Sequence, residues 1–368
     1  MKVNRALKIS KVRGEDVLST LRRNGWLDTN RNIRRYGNSI ELPLLDTISQ
    51  PLLVSTLKDL FGDDFEIITQ SKPSLKTSIK TPFEEILDGC KAIPTLNKTM
   101  LVFLPQKWEL LGDVVILKLP TKLKRFWREI AEVYAKVLHA KAILRRVDKV
   151  RGIYREPGVE LILGDSTETM HYENKVKFKF DASKIMFSSG NIDERIRIAT
   201  LANKNDTIVD MFAGIGYFCL PIAIHSRPKK VIACELNPTA FHYLCENIKL
   251  NQVEDIVQPI LGDNRDSIPA QSADRIVMGY IKSDETHIAA AFRILKPTGG
   301  VIHFHDVGFK KDAIRNAFSK IQDSLAKLGF DSQFEVVKKN HYMIKSYGPK
   351  LVHLVLDIEF KSLTKESC

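Results

Sequence analysis

The sequence predicts an α/β protein whose carboxyl half forms a parallel, doubly wound sheet, and three stretches carry that expectation. Residues 207–237 run from an apolar strand (Ile208, Val209) through Asp210-Met211-Phe212-Ala213-Gly214-Ile215-Gly216 into a small apolar helix. They emerge as a second strand that ends in Glu235. A glycine turn between strand and helix lets the backbone approach a nucleoside closely, and an acid closing the second strand can accept two hydrogen bonds from a ribose diol. Residues 259–264 then read as a third strand ending in Asp263 and Asn264, an acid and an amide suited to an adenine edge. Residues 273–280 read as a fourth strand, whose carboxyl end should meet the reactive end of a bound ligand at the switch point of an open sheet.

At 368 residues the chain exceeds one ordinary core, and roughly two or three domains are expected. A composition 44% hydrophobic and 27% charged is that of a soluble globular protein. No apolar run approaches the roughly 18 to 20 residues that span a bilayer, and the basic start has no apolar stretch behind it, so the expectation is a cytoplasmic protein without a secretory signal. The net charge of +12 favours a polyanionic partner. Five cysteines, Cys90, Cys219, Cys234, Cys245 and Cys368, are widely spaced and form no C-x-x-C pair, which argues against a disulfide framework or a zinc site. Cys219 and Cys234 fall in apolar segments and read as small buried hydrophobes.

In chain order, residues 1–45 read as a small amino-terminal module: a strand over 6–12, a helix carrying Val17, Leu18 and Leu21, the turn Asn24-Gly25, a basic segment with Arg31, Arg34 and Arg35, and a strand ending at Leu42-Pro43. Those arginines could meet phosphates, with solvated surface charge as the competing reading. Residues 46–108 are poorly defined; 51–61 and 82–90 have helical character, and the polar tract 70–78 between them reads as a loop.

Residues 109–183 read as a basic α+β domain with a strand over 111–119, an amphipathic helix over 123–138 and a strand over 142–147. Lysines and arginines accumulate here, among them Arg145, Arg146 and Arg155, with Phe126, Trp127 and Tyr134 interleaved. This favours a surface that tracks nucleic-acid phosphates over a merely solvated face. Alternation at Val176, Phe178 and Phe180 predicts a half-buried strand with a basic outer face. Residues 184–368 form the ligand-binding domain. It opens with a Ser-Gly-Asn turn and a helix that Asp193 can cap. His303 and His305 share a strand face, but without a third ligand at recognisable spacing the expectation is no metal.

From about residue 111 to 360, and more weakly over 1–45, the chain resembles the enzymes that modify the purine just 3′ of the anticodon, position 37 of tRNA. The shared motifs are Met211-Phe212-Ala213-Gly214-Ile215-Gly216, Glu235-Leu236-Asn237-Pro238, His171-Tyr172-Glu173-Asn174 and Lys345-Ser346-Tyr347-Gly348-Pro349. The resemblance implies a class I, Rossmann-like transferase domain dependent on S-adenosyl-L-methionine, with an α+β domain before it, a small tRNA-recognition-like module in front, and tRNA as partner. The protein is expected to be a monomer with no membrane association. One branch methylates N1 of guanosine-37; the other moves the 3-amino-3-carboxypropyl group onto C7 of 4-demethylwyosine in wybutosine synthesis. The methylating branch carries a FSPR-type loop and an Asn-Leu-Pro after strand four that holds the guanine. Here those places read Phe187-Ser188-Ser189-Gly190-Asn191 and Met278-Gly279-Tyr280, and both resemble the aminocarboxypropyl branch. Loss of the asparagine removes a partner for a guanine edge, and Gly279 leaves room for a larger base.

By the same resemblance Ser188, Arg195, Phe212, Gly214, Gly216, Glu235, Asp263 and Asn264 bind the cofactor, with Arg195 meeting the methionine carboxylate bidentately. Glu194 and Tyr280 stand at catalytic positions, His303 and His305 are further candidate bases, and Arg145, Arg146 and Arg155 contact tRNA. Guanosine-37 N1-methylation is the alternative reaction, and a catalytically silent tRNA-binding protein the alternative of another class.

Overall fold

The computed structural model describes residues 4–10, 13–36, 39–70, 80–281 and 283–363. It divides into two compact units, Met1–Glu84 and Glu85–Cys368. The end of the strand expected over 6–12, the loop expected beyond Gln70, and Cys368 lie outside the described residues.

In the first unit β1 (Arg5–Ser10), α1 (Gly14–Arg23), β2 (Arg34–Tyr36), β3 (Ser39–Pro43), α2 (Gln50–Phe61) and β4 (Phe65–Thr69) build an antiparallel sheet in the order β2-β3-β1-β4. Leu7 and Ile9 of β1 meet Val17 and Leu21 of α1, Ile40 and Leu42 of β3, and Leu53 and Leu57 of α2 in one core. The helix expected over 51–61 is α2, and the strand β4, which the sequence did not show, pairs with β1, so the module runs past the boundary expected at residue 45. Arg31 is no phosphate ligand. It is 5% exposed and donates to the carbonyls of Arg5 (2.8 Å) and Leu44 (2.5 Å) and to the Asp28 carboxylate (2.8 Å), pinning the chain between β1 and β3.

The second unit begins within α3 (Pro82–Lys91) and continues into a four-stranded sheet, β5 (Trp108–Leu111), β6 (Val114–Leu117), β7 (Ala142–Arg146) and β8 (Val159–Leu163), in that order. A short 3-10 segment, Thr121–Phe126, and α4 (Trp127–Leu138) connect β6 to β7. The helix expected from residue 123 is therefore split. The hairpin β9 (Glu168–Glu173) and β10 (Val176–Asp181) follows. Along β10 Val176, Phe178 and Phe180 are buried and the intervening lysines half-buried, as the alternation predicts.

The remaining elements are α5 (Ile192–Ile198), β11 (Thr207–Asp210), α6 (Cys219–His225), β12 (Lys230–Glu235), α7 (Pro238–Leu250), β13 (Val257–Leu261), α8 (Asn264–Ser267), β14 (Arg275–Met278), α9 (Glu285–Ile294), β15 (Gly299–Phe309), α10 (Ala313–Lys327), β16 (Phe334–Ser346) and β17 (Leu351–Ser362). They form a seven-stranded sheet ordered β13-β12-β11-β14-β15-β17-β16. The first five strands run parallel, and β17 and β16 add antiparallel at one edge. This is a Rossmann-like sheet, with β11 and β14 flanking the point where strand order reverses. Asp193 does not cap α5: it lies in the first turn, and Asn191 is the cap residue, without a side-chain bond. Cys219 and Cys234 are both fully buried.

Hairpin and sheet are joined by an amide ladder that no local propensity announces. Asn247 and Asn251, one turn apart on α7, present their carboxamides to the free edge of β10. Asn247 accepts from the Lys179 N–H (2.7 Å) and donates to the Lys179 carbonyl (3.1 Å), while Asn251 does the same for Lys177 (2.9 and 2.8 Å). Asn247 also donates to the Ile215 carbonyl in the glycine turn (3.0 Å) and is wholly buried. Each side chain mimics one rung of a strand pairing, which relieves β10 of unpaired edge groups. Asn247→Ala leaves three backbone groups without that partner, the Ile215 carbonyl buried and the two of Lys179 part-buried, and is expected to lower stability by about 2 to 4 kcal/mol. Asn251→Ala, at a half-buried position, should cost about 1 kcal/mol; urea unfolding of both variants checks the order.

Candidate functional site

The glycine turn after β11 is held by carboxylates at both ends. Asp210, fully buried, accepts from the N–H groups of Phe212 (3.3 Å) and Cys219 (3.1 Å), and burial pushes its carboxyl up to about 7. Glu235, at the end of β12, accepts from the Gly214 N–H (2.7 Å) with one oxygen and from the Asn237 N–H (2.7 Å) with the other. Each Glu235 oxygen keeps a lone pair for a further donor. Burial raises its pKa, and the backbone donors act against that shift. Gly214 and Gly216 have φ of +57° and +109°. A Cβ at either would lie 2.4 Å from the Tyr217 ring or from Leu220, so the turn admits only glycine.

Beside this cradle Asn264 turns its amide inward, donating to the Met211 carbonyl (2.8 Å), and its buried Oδ1 has no hydrogen-bond partner. Asp263 caps α8 through the Arg265 N–H and is forked by the Arg265 guanidinium at 2.9 and 2.5 Å. That contact holds its carboxyl down at about 2. The Phe212 ring sits 5.2 Å from Tyr280 and 5.3 Å from His287. A paired acid with free lone pairs, an orphaned carboxamide oxygen and a flat ring beside a glycine turn are a donor set that fits a nucleoside.

Arg195, the cation expected at a methionine carboxylate, is tied to the hairpin in this structure. Arg195 is 2% exposed and meets Glu173 of β9 in a bidentate pair, with Nε and Nη2 donating at 2.5 and 2.6 Å. Its Nη1 donates to the Ser188 carbonyl at 3.0 Å. The bidentate edge of the guanidinium thus faces Glu173. Burial pushes the Glu173 carboxyl up, but hydrogen bonds from His171 and Arg195 outweigh it and hold the group below its usual range. Phe187 lies over the pair, its ring 5.0 Å from the Arg195 guanidinium. Tyr217 packs on Phe187 and donates to the Met186 carbonyl at 2.6 Å.

The candidate bases lie in a buried network, in which the His305 Nε2 has no hydrogen-bond partner. Both oxygens of Glu194 accept from Arg197 (2.8 Å each), and Arg197 also pairs with Asp357 at 2.6 Å. His303 lies between Asp357 (2.6 Å) and Arg275 (2.8 Å). His305 contacts His353 at 3.1 Å, and burial drives its pKa well below the usual value. Glu194, His303 and His305 are each 1% exposed, a buried scaffold between α5, β15 and β17. Among the described residues no group of three or more His, Cys, Asp or Glu is placed to hold a metal ion.

Gly279 leaves room for a side chain, not for a base. A Cβ there would lie 2.7 Å from the Phe218 ring, which fills the space the sequence reading assigned to a larger substrate. Tyr280, the next residue, presents its ring to the Arg155 guanidinium at 5.7 Å. The other two arginines expected on tRNA have carboxylate partners. Arg145 pairs with Glu160 (2.6 Å) and stacks 4.2 Å over Trp127, and Arg146 pairs with Glu109 (2.8 Å).

Sequence reasoning missed the contacts that Glu173 and Tyr217 make around this loop, although each sits in or beside a motif it used. Glu173→Gln removes the charge that neutralises a buried guanidinium and is expected to cost about 3 to 5 kcal/mol near neutral pH. Because the native carboxyl titrates below its unfolded value of 4.5, the pair's stabilisation is present above that value and is lost as pH falls through the folded pKa. The gap between variant and parent in urea unfolding should therefore narrow on acidification; a gap independent of pH would contradict the assignment.

Three family models match along the chain: the TYW2 N-terminal domain over residues 86–167, the TRM5/TYW2 methyltransferase domain over 169–336, and the tRNA methyltransferase 5 N-terminal domain over 6–51. A relative from Pyrococcus horikoshii named tRNA(Phe) (4-demethylwyosine(37)-C(7)) aminocarboxypropyltransferase is 41% identical over 285 residues, 77% of this chain and 98% of the relative. The crystal structure of P. horikoshii TYW2 in complex with MeSAdo is similar with a TM-score of 0.65 and 40% identity, covering 73% of this chain and 95% of that one. The tRNA (guanine(37)-N(1))-methyltransferase Trm5b of Pyrococcus abyssi is 30% identical over 354 residues, 96% of this chain and 98% of the relative. Since it covers almost the full length of relatives from both branches, and the family model lies over the glycine cradle and its acid, the chain belongs to the TRM5/TYW2 methyltransferase family.

Proposed function

We propose that the protein transfers the 3-amino-3-carboxypropyl group of S-adenosylmethionine to C7 of 4-demethylwyosine at position 37 of tRNA. A carbon–carbon bond forms at C7, the electrons of the broken carbon–sulfur bond leave with methylthioadenosine, and the C7 proton passes to solvent. The observation that carries the reading is the end of β14. Met278 is buried, Gly279 lies under Phe218, and Tyr280 offers an aromatic face with Arg155 beside it. Such a surface stacks a flat base and supplies no carboxamide for a guanine edge. The 41% identical relative carries that activity in its name.

When bound, the cofactor supplies a sulfonium with three electrophilic carbons, and the group transferred is the one held in line with the nucleophile at roughly 3 to 3.5 Å. The protein's part is placement. Glu235 takes the ribose diol, Gly214 and Gly216 let the backbone approach, and Asn264, with its free oxygen, and Phe212 border the adenine. Asp263 sets the start of α8. Ser188 holds the amino-acid end, and Arg195 holds Ser188 through its carbonyl. Tyr280 and Arg155 receive the base. Glu194 acts as a positioning residue, because Arg197 takes both its oxygens. The reading is of a cytoplasmic, monomeric RNA-binding enzyme that uses the basic face of residues 109–183 for tRNA. Arg145 and Arg146 shape that face more than they neutralise phosphates.

A second reading, N1-methylation of guanosine-37, is favoured by the match that runs through the amino-terminal module to Trm5b. Labelled cofactor separates the two. With tRNA bearing 4-demethylwyosine, label from the cofactor's carboxyl carbon should enter the RNA with stoichiometric release of methylthioadenosine. Unmodified guanosine-37 should accept little, since a missing hydrogen-bond partner in a closed site costs roughly 1 to 3 kcal/mol, about one or two orders of magnitude in rate. Efficient entry of methyl label with release of adenosylhomocysteine would establish the second reading instead.

A further inference from the structure

The loop between β7 and β8 ends in a tip that carries apolar side chains into solvent beside the candidate base surface. Two backbone bonds between Arg151 and Glu156 (2.9 and 3.0 Å) close the turn, and within it the Arg155 N–H donates to the Gly152 carbonyl at 3.3 Å. Gly152 and Arg155 both have positive φ, +65° and +55°, so the chain doubles back tightly. Asp148 braces the stem by accepting from the Arg151 guanidinium. Asn237, itself buried, donates from Nδ2 to the Tyr154 carbonyl at 3.3 Å. The tip is therefore a fixed turn, tied to the residue two past Glu235. Even so, Ile153 is 72% exposed and Tyr154 43%, with Val147 and Val150 exposed along the same loop.

Single exposed apolar residues need no explanation, but several held on one braced loop at the rim of a site mark an interaction surface. What adjoins them bounds the partner's chemistry. Arg155, the next residue, has its guanidinium 5.7 Å from the Tyr280 ring, and Lys149 and Arg151 stand on the same loop. Cations interleaved with aromatic and aliphatic side chains suit single-stranded RNA, whose phosphates are anionic and whose bases stack. A base that leaves its stack to lie on Tyr280 uncovers the faces of its neighbours, and that unstacking costs free energy. An apolar tip directly beside Arg155 is placed to cover them.

We propose that Ile153 and Tyr154 form a stacking tip that covers the nucleotides flanking the target base of tRNA once that base has turned out towards Tyr280. The inference rests on the functional reading above, because it takes a tRNA loop as the ligand and Tyr280 as the place of its base.

A cycle of protein and RNA changes tests it by binding alone. Ile153→Ser together with Tyr154→Ser, which leaves the backbone bond to Asn237 in place, is compared with the parent on two tRNAs, one with nucleotides 36 and 38 intact and one with both abasic. The double variant is expected to weaken binding about tenfold on the intact tRNA, the scale of one base–aromatic stack. On the abasic tRNA, where no base is left to cover, variant and parent should agree within about twofold. Tyr154→Phe keeps the ring and should retain most of the parent's affinity for the intact tRNA. An equal loss on both tRNAs would mean that the tip meets something other than a base, and no loss on either would leave these side chains to solvent or to a protein partner; each outcome overturns the proposal. The coupling is read in the same way with guanosine or 4-demethylwyosine at position 37, so it judges the tip. Labelling of tRNA judges the reaction separately.

Discussion

The buried pair between Glu173 and Arg195 is the constraint on which the site depends. Two opposite charges taken out of water are costly, and their attraction repays the cost only with close geometry and further hydrogen bonds. Here both conditions are met: two parallel bonds join the groups, and the remaining arginine nitrogen takes the Ser188 carbonyl. The partners come from the hairpin and from the helix that leads into the sheet. The pair therefore fixes the loop of residues 187–191 against both, with Phe187 closed over it. Everything that distinguishes the amino-acid end of the cradle hangs from that loop.

Around this point the molecule separates rigid support from recognition. The Asn247 and Asn251 ladder locks β10 to α7 and reaches the glycine turn through Ile215, so hairpin and cradle are one body. The network of Glu194, Arg197, Asp357 and His303 ties α5 to β15 and β17 behind the loop. Charges paired on both sides in this way are good fixtures. What stays open is the Tyr280 ring with Arg155 beside it, an aromatic face for a base.

Much of the sheet was legible in the sequence, because glycines, strand-ending acids and apolar runs are local signals. Gly214, Gly216 and Glu235 stand where the strand-turn-helix-strand pattern places them, and β11 and β14 are neighbours as the switch-point rule requires. The failures share a cause, which is contact across long stretches of chain. Arginine and carboxylate types announce charge but not partner, so the pairing of Arg195 with Glu173, 22 residues earlier, could not be read. Arg31 likewise looked like a phosphate ligand and is a buried pin. Lys345 was visible only as part of a motif, since its contact with Ser188 spans 157 residues. Gly279 suggested space, and only the fold shows that Phe218 fills it.

The account's central claim is that the Glu173–Arg195 pair fixes the loop of residues 187–191. An experimental structure of the protein with adenosylmethionine bound tests it most directly. The account predicts that both Glu173–Arg195 bonds persist at about hydrogen-bond length, with the Ser188 carbonyl still on the guanidinium. A Glu173 displaced from Arg195, with residues 187–191 shifted, would contradict it.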